Sequence, residues 1–412
     1  MILYSLFAYS QESDVALQSL RKDALNVYMD ASDFLKKEIP YINYVRDIKD
    51  ADVYIISTYQ WTGSGGTEYT YFLNGQQLCA GMKDTVSFTA FPDDTYEMIR
   101  MKEANTLKMA LMRYVMKTPL SRYVNISFSE PLSETVSSDK WNSWVFSASL
   151  NGYLNGEKSY NSKNFYGNIS ANRVTEEWKI NLNAGFSYGV DKFLIDDEDY
   201  ISENNSKSVD ALIVKSITDH WSYGGSFNAE ASSYNNTEFQ AGILPGIEYD
   251  IFPYSESTRR QLRILYSAGF NSVRYIDTTI YNKTKENLWL HSLSAAYEVV
   301  QKWGTIDISM RYSNYLHDWS KNNFSVDGSV NLRIAKGLSI NFGGEVFLIH
   351  DQLGLVKEGA STEEVLLRRK ELETQYRYFV MFGFTYTFGS IYNNVVNPRF
   401  GNSGGSGMTI IF

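Results

Sequence analysis

The sequence predicts a mainly β protein, in which an antiparallel transmembrane β-barrel of about twelve strands follows a small α+β domain. Between Trp141 and Phe388 the chain repeats stretches of strict apolar/polar alternation that are separated by turns. A period of two places the two sets of residues on opposite faces of a β-strand. Mean hydropathy is −0.31, and no stretch reaches the ~18 apolar residues of a membrane-spanning helix. Any crossing of a membrane would therefore use strands.

The alternation is most regular in residues 178–188 and 324–334, where one face is apolar and the other is polar or charged. The fourth predicted strand, near residues 209–218, is ambiguous because Lys215 falls in its apolar row. The predicted strands are located by Phe146, Phe165, Trp178, Val209, Tyr223, Phe239, Leu262, Trp289, Ile306, Phe324, Leu338 and Tyr376.

Composition limits the function classes. A net charge of −9 makes a general nucleic-acid role improbable, because phosphate backbones are bound by positive charge. The 31 Tyr, 23 Phe and 8 Trp fit the aromatic girdles of a barrel, although a soluble β-sandwich can also be rich in tyrosine. The single cysteine, Cys79, excludes an internal disulfide, and we expect it to be a buried small apolar residue.

Four segments follow from these patterns. Residues 1–24 read as a truncated secretory signal or an ordinary apolar leader. Residues 25–122 form the α+β domain, and residues 140–388 form the barrel. Residues 389–412 form a tail, which could be a loose end, a strand added to a partner's sheet edge, or a plug.

The first domain is predicted to have the order β-α-β-β-β-α, with a glycine-rich turn at residues 63–66 between its second and third strands. Residues 50–57 before this turn and residues 68–73 after it resemble the amino-terminal domain of the periplasmic Tol-system translocation protein. They also resemble related domains of curli-type secretion channels. The resemblance implies docking to periplasmic or envelope partners.

Connection lengths and the last strand indicate an orientation. The aromatic strand that ends at Phe388 resembles the terminal strands of Gram-negative outer-membrane proteins. Bacterial barrels have short periplasmic turns and longer extracellular loops. The three longest predicted connections, residues 191–207, 276–287 and 351–375, are odd-numbered, and the even-numbered ones are short, apart from a somewhat long sixth connection at residues 252–261 and two short odd-numbered ones. This pattern implies that both termini are periplasmic.

The polar rows contain the candidate functional residues. We expect these charged side chains to line the lumen, either as mutually satisfied cross-strand ladders, the favoured interpretation, or as the lining of a small aqueous pore. They are Lys179, Glu230, Asp250, Arg263, Asp307, Arg311, Asp327, Arg333, Glu345 and Arg377.

Two His-Asp pairs, His317-Asp318 and His350-Asp351, are predicted at the extracellular rim. Outer-membrane proteases also place Asp and His at that rim, but adjacent residues of a strand point to opposite faces. The favoured role is therefore rim contact with lipopolysaccharide or a divalent cation. The four histidines show no metal-ligand spacing, so no catalytic, cofactor or metal site is predicted.

Met109, Met112 and Met116 form a stripe on the last helix of the first domain. Core packing is the favoured interpretation, and a partner-docking face is the alternative.

Three functions remain open. The first is a non-enzymatic accessory, assembly or scaffold subunit of the outer membrane that contacts lipid and lipopolysaccharide and docks a periplasmic or outer-membrane protein. The second is a small-solute channel or transporter, suggested by the charged lumen. The third, an outer-membrane hydrolase, depends only on the rim His-Asp pairs.

Overall fold

A computed structural model describes residues 23–63, 65–126, 139–195, 198–357 and 371–390. The chain divides into two compact units. One contains a five-stranded sheet and two helices, and the other contains a 12-stranded sheet. The predicted leader, residues 1–24, and the predicted tail, residues 389–412, lie almost entirely outside the described ranges.

The first unit follows the predicted order of elements. Its strands are β1 (Asn26–Tyr28), β2 (Asn43–Tyr44), β3 (Val53–Trp61), β4 (Thr67–Gly75) and β5 (Lys83–Ala90), and its helices are α1 (Asp33–Glu38) and α2 (Tyr96–Val115). The sheet order is β2-β1-β3-β4-β5, with β1 parallel to both β2 and β3. The two-residue strand β2 escaped prediction because it is too short to show any periodicity.

Local capping explains where the helices of the first unit begin. The Ser32 hydroxyl accepts a hydrogen bond from the Leu35 amide at the start of α1, and Thr95 caps α2 in the same way. Leu107 and Leu111 of α2 are fully buried in the core. Within the described ranges, no helix is both long and apolar enough to cross a membrane.

The second unit is one antiparallel sheet in which each strand pairs with its neighbours in sequence. Its strands are β6 (Trp144–Gly156), β7 (Tyr160–Val174), β8 (Trp178–Ile195), β9 (Glu198–Ser216), β10 (Trp221–Ser232), β11 (Thr237–Asp250), β12 (Arg260–Tyr275), β13 (Lys285–Gln301), β14 (Gly304–Tyr315), β15 (Asp318–Ala335), β16 (Leu338–Ile349) and β17 (Tyr376–Tyr386). The predicted fold class, a mainly β chain with twelve antiparallel strands, is confirmed.

Registers assign every residue of this sheet to one of two faces, because partners in a pair of strands point the same way. The face that contains Trp178, Ile180 and Leu182 is called the apolar face, and the opposite face is called the polar face. Large apolar side chains are exposed on the apolar face of every strand. One from each strand, in order, is Leu150, Ile169, Phe186, Ile213, Phe227, Ile243, Tyr266, Trp289, Met310, Ile334, Phe342 and Phe382.

The ambiguous Lys215 lies on the apolar face at the end of β9. Its ammonium group stands over the ring of Trp178, 5.1 Å from the centroid. A cation–π contact at a strand end allows a lysine in an otherwise apolar row.

The predicted long connection at residues 191–207 is wrong. Most of these residues extend β8 and β9, whose ladder continues to the pair Ile195–Glu198. Alternation is lost there because both faces mix polar and apolar residues. Lys192, for example, lies on the same face as Trp178 and forms an ion pair with Asp199 at 2.7 Å. The hairpin therefore continues beyond the apolar rows.

The two end strands of the sheet, β6 and β17, are each paired on one side only among the described residues. Both are exposed along almost their whole length, with Leu150 and Phe382 each 74% exposed. The outer edge of each end strand therefore has no neighbouring strand within the described part of the chain, as in the edge strands of an open sheet.

We predict that Leu107→Ala lowers the free energy of unfolding of the first unit by about 2–5 kcal/mol, because it leaves a cavity in a fully buried core. Pulse proteolysis of the full chain in urea measures this change. Met109→Ala, two residues along and 72% exposed, is the control and should change stability by less than about 0.5 kcal/mol. Equal effects of the two substitutions would contradict the assigned core.

Candidate functional site

All ten charged residues that the sequence predicts for the lumen lie on the polar face. The registers place Lys179, Glu230, Asp250, Arg263, Asp307, Arg311, Asp327, Arg333, Glu345 and Arg377 there.

The polar face is the inner surface of a curled sheet. A cavity of about 560 Å³ is lined by residues of strands β8 to β14. In a flat sheet the first and last of these strands would be about 29 Å apart, at ~4.8 Å per strand. A cavity of this size can contact all of them only if the sheet curves around it.

Three cationic side chains line this cavity: Lys179 on β8, Arg263 on β12 and Arg311 on β14. Within the part of the chain that the structure describes, none of them has a hydrogen bond or an ion pair. The Nε atom of Arg263 is buried and lacks an acceptor. The cavity therefore contains positive charge that the neighbouring side chains do not neutralise by direct contact.

The one carboxylate that lines the cavity is Glu248, which accepts a hydrogen bond of 3.0 Å from the Tyr254 hydroxyl. Burial raises the pKa of Tyr254, a hydrogen bond with Ser222 opposes the shift, and Glu248 adds to it. Tyr254 therefore stays a neutral donor.

Asp250 lies opposite Arg263 in the register but does not line the cavity. Its side chain is oriented by backbone donors, because Oδ1 accepts from the Phe252 and Leu262 amides, each at 3.1 Å. Its Oδ2 atom is buried without a partner. Asp250 thus closes the end of the β11–β12 hairpin rather than forming a direct ion pair with Arg263.

Small side chains give the cavity its space. Serines of several strands line it, and the hydroxyls of Ser267 and Ser292 are 2.9 Å apart. Gly224 lies in the same row, where a Cβ atom would be 2.3 Å from the Ile213 carbonyl oxygen. Glycine at this position keeps β9 and β10 in close contact without adding a side chain to the cavity.

A cross-strand ion pair of the predicted kind is formed between β16 and β17. Arg377 forms an ion pair with Glu345 at 3.6 Å and stacks over the Phe347 ring, 4.4 Å from the centroid. Asp327, the register partner of Glu345, accepts a hydrogen bond from Ser309. No such ion pair forms at the three cavity cations: Lys179 and Arg311 have no carboxylate opposite them in the register, and Asp250, opposite Arg263, bonds backbone amides through Oδ1.

The predicted rim pairs lie at one end of the sheet but do not form a catalytic arrangement. His317 is in the β14–β15 turn and His350 follows β16. Asp318 accepts hydrogen bonds from the amide and hydroxyl of Ser320, and Asp351 accepts one from Asn323. Neither carboxylate accepts a hydrogen bond from a histidine.

Asp351 begins a segment that the sequence did not identify. Residues 351–357, called the strap, run from β16 to the connection between β12 and β13. Ile280 donates its amide to the Leu355 carbonyl at 2.8 Å, and Lys357 donates to Thr278 at 2.9 Å. Burial raises the pKa of Asp351, and the hydrogen bond from Asn323 opposes this shift.

Asn236 anchors the strap from the β10–β11 turn. Its Nδ2 donates to the Gly354 carbonyl at 2.8 Å and to the Asp277 carbonyl at 3.0 Å. The backbone of Asn236 is left-handed, with φ of 54°, a conformation that Asn tolerates better than most residues. A sequence signal for the strap existed in the apolar residues 353–356, which are unusual in a long polar connection.

The strap covers the inner surface near this end of the sheet. Leu353 packs with Val273 and Leu288 in a small apolar cluster. Beneath it, a second cavity of about 340 Å³ contains the carboxylates of Glu230, Asp351 and Glu371. The two cavities therefore differ in the sign of their charged groups: the first is lined by three cations and one carboxylate, and the second by three carboxylates.

Two further predicted positions lie in the first unit. Cys79 is buried, as expected. The core interpretation of the methionine stripe is wrong for Met109 and Met116, which are 72% and 54% exposed, whereas Met112 packs partly against the core. In the described ranges, no group of three or more His, Cys, Asp or Glu could hold a metal ion.

No protein-family model and no curated protein sequence matches the chain. Structural similarity is found to outer-membrane proteins. The NanC porin matches with a TM-score of 0.29 and 8% identity, over 58% of this chain and 99% of the porin. The β domain of the Bordetella autotransporter BrkA matches with a TM-score of 0.23 and 8% identity, over 59% of this chain and 98% of that domain.

The siderophore receptor PirA from Pseudomonas aeruginosa is also similar, with a TM-score of 0.28 and 8% identity over 71% of this chain and 42% of the receptor. Because these TM-scores are low, the fold is defined from the strand registers of this chain itself. These define a 12-stranded antiparallel sheet with an apolar outer face and a polar inner face.

Proposed function

We propose that the chain is an outer-membrane β-barrel protein of a Gram-negative bacterium. The observation that carries this proposal is the apolar face, on which all of the twelve strands expose large apolar side chains. Soluble monomers rarely expose apolar patches larger than a few hundred Å². On β8 the apolar row extends from Trp178 to Tyr188, and about 9–11 residues suffice for a strand to span a bilayer.

In the bilayer, β6 and β17 pair with each other to close the barrel. Unpaired backbone groups in hydrocarbon cost several kcal/mol each, so an open sheet edge is not tolerated there. The two strands run in opposite directions, as an antiparallel pair requires. When their apolar rows are level, Leu150 of β6 stands near Phe382 of β17.

The extended β8–β9 hairpin and the connection at residues 350–375 are at one end of the sheet, and the first and last residues of the sheet are at the other. Longer extracellular segments are typical of bacterial barrels. The protein therefore has both ends of its barrel in the periplasm, and the rim residues His317 and Asp318 face lipopolysaccharide.

The barrel serves a small solute without catalysing a reaction on it. This role is supported by the cavity of about 560 Å³ with its three unneutralised cations, and by a strap that covers the opposite end. If the polar face had only a structural role, its charged side chains would be expected to pair with one another, as Glu345 and Arg377 do.

A second role, docking of an envelope partner through the first unit, is favoured by the exposed Met109 and Met116 on α2. Flexible methionines on a surface suit partner binding. The Tol-type resemblance of residues 50–57 and 68–73 is compatible with such an accessory or scaffold role.

Closure is tested by disulfide cross-linking in outer-membrane vesicles. We expect Ser149→Cys to cross-link with one of Met381→Cys, Gly383→Cys or Thr385→Cys, which share its polar face. Phe382→Cys is the control, since its side chain lies on the opposite face. If the protein inserts into the membrane but none of the three polar-face pairs forms a disulfide, the proposed closure is wrong.

Solute passage is tested by the conductance of the purified full chain in planar bilayers, and the strap should limit it. Asn236→Asp removes the donors to Gly354 and Asp277, each worth about 1 kcal/mol net. We expect faster hydrogen exchange of the Ile280 and Lys357 amides, together with a higher conductance.

The control for the strap is Asn235→Asp, the same chemical change one residue away, where the side chain makes no hydrogen bond to the strap. Conductance that is insensitive to Asn236→Asp while exchange accelerates would show that the strap does not restrict passage.

The docking role predicts that a photo-crosslinker at Met109 captures one defined envelope protein, and that Met116→Lys lowers this yield by adding an unpaired charge to the contact. Met98→Lys, nearer the start of the same helix, is the control. A yield unchanged by Met116→Lys would argue against this surface.

A further inference from the structure

The cavity beside β8 to β14 has a chemical character that identifies a class of solute. Its lining combines Lys179, Arg263 and Arg311 with one carboxylate, Glu248. Counting only these groups, three positive charges meet one negative charge. Because the carboxylate already accepts a hydrogen bond from Tyr254, it is not free to neutralise the cations by direct contact.

The three cations differ from Arg377, a polar-face arginine with a defined partner. Arg377 is held by Glu345 and by the Phe347 ring. Lys179, Arg263 and Arg311 have neither an ion pair nor a hydrogen bond within the described ranges, and Arg263 Nε is buried. A buried donor without an acceptor is unfavourable, so an acceptor supplied by a bound solute would stabilise it.

The neutral part of the lining offers hydroxyl groups beside aliphatic side chains, because six serines line the cavity together with Leu212, Val214, Leu244, Leu265 and Leu290. The registers align Lys179 in one row across the sheet with Val214, Gly224, Gly246, Ser267, Ser292 and Ser313. Serine hydroxyls can donate and accept, and the glycines leave room above the row. The volume of about 560 Å³ lies within the usual range for small-molecule sites.

We propose that this cavity is a binding site for small hydroxylated organic anions, whose carboxylate or phosphate group is held by Arg263, Arg311 and Lys179 while their hydroxyls meet the serine row. The proposal rests on the solute function proposed above and specifies its substrate class. Arginine supplies planar, bidentate donors to either anionic group, and the lysine adds a point charge.

The site sits at one end of an axial charge gradient. The cavity under the strap contains Glu230, Asp351 and Glu371, whereas the proposed site contains the cations. An anion that occupies the barrel is thus repelled from the strap end and attracted to the other. The gradient favours retention of the anion at the site that is further from the strap.

The test uses the full chain in detergent, with gluconate as the hydroxylated anion and glucose as its uncharged counterpart. Isothermal titration calorimetry should detect gluconate binding that weakens at high KCl, and little or no glucose binding. The double variant Arg263→Gln/Arg311→Gln should bind gluconate at least about tenfold more weakly, because a hydrogen bond to a charged group contributes about 1.5–3 kcal/mol.

The matched control is Lys215→Gln, which removes one positive charge from the neighbouring strand on the opposite face. It should leave gluconate affinity unchanged. Arg263→Lys tests charge without the guanidinium geometry and should retain part of the affinity, which also guards against a folding defect in the double variant. Equal losses in Lys215→Gln and the double variant would overturn the proposal, as would equal affinity for glucose and gluconate.

Conductance measurements distinguish the proposed anion-binding site from the proposed passage of a small solute through the barrel. If gluconate binds and no conductance is observed, the anion site is supported and the channel role is wrong. The opposite result is a parent protein that conducts, prefers potassium over chloride in a KCl gradient and binds no gluconate. It would support the channel and show that the anion site is wrong. A phosphate probe titrated in parallel distinguishes a carboxylate preference from a general anion preference.

Discussion

The register of the 12-stranded sheet is the constraint on which the other properties of the second unit depend. Each strand has two faces, and a slip of one residue between neighbours would exchange them along the whole strand. Since every strand pairs with its sequence neighbours, the assignment made at Trp178 and Lys179 is carried to Tyr376 and Arg377. The same pairing that satisfies the backbone therefore separates a lipid-compatible surface from an aqueous one.

The polar face uses its charges in two different ways. Where Arg377 meets Glu345, a carboxylate and an aromatic ring hold the guanidinium, and the result is a rigid wall. Around the larger cavity, glycines and serines replace the side chains that could pair with the cations. Small residues thus create both the space and the uncompensated charge, and the strap with its carboxylates gives the interior two unlike ends.

Much of this fold could be predicted because alternation is a direct consequence of strand geometry. The twelve strands and the face of all ten charged residues followed from residue parity alone. Prediction fails where the two faces do not differ: residues 191–207 mix polar and apolar residues on both faces, so the sequence predicts a loop there. The strap was missed because its anchor, Asn236, lies more than a hundred residues from Gly354. Charge pairing was overestimated, since a pattern of faces does not give the distances between side chains.

The order of the strands also bears on how the second unit acquires its structure. Every ladder in the described sheet joins segments that are adjacent in sequence, so each hairpin can form with a small loop-closure entropy and extend the one before it. Among the strand pairs of a closed barrel, only the one between β6 and β17 would join distant parts of the chain. We expect such a chain to assemble one hairpin after another. The barrel would then close last, when the aromatic strand β17 pairs with β6.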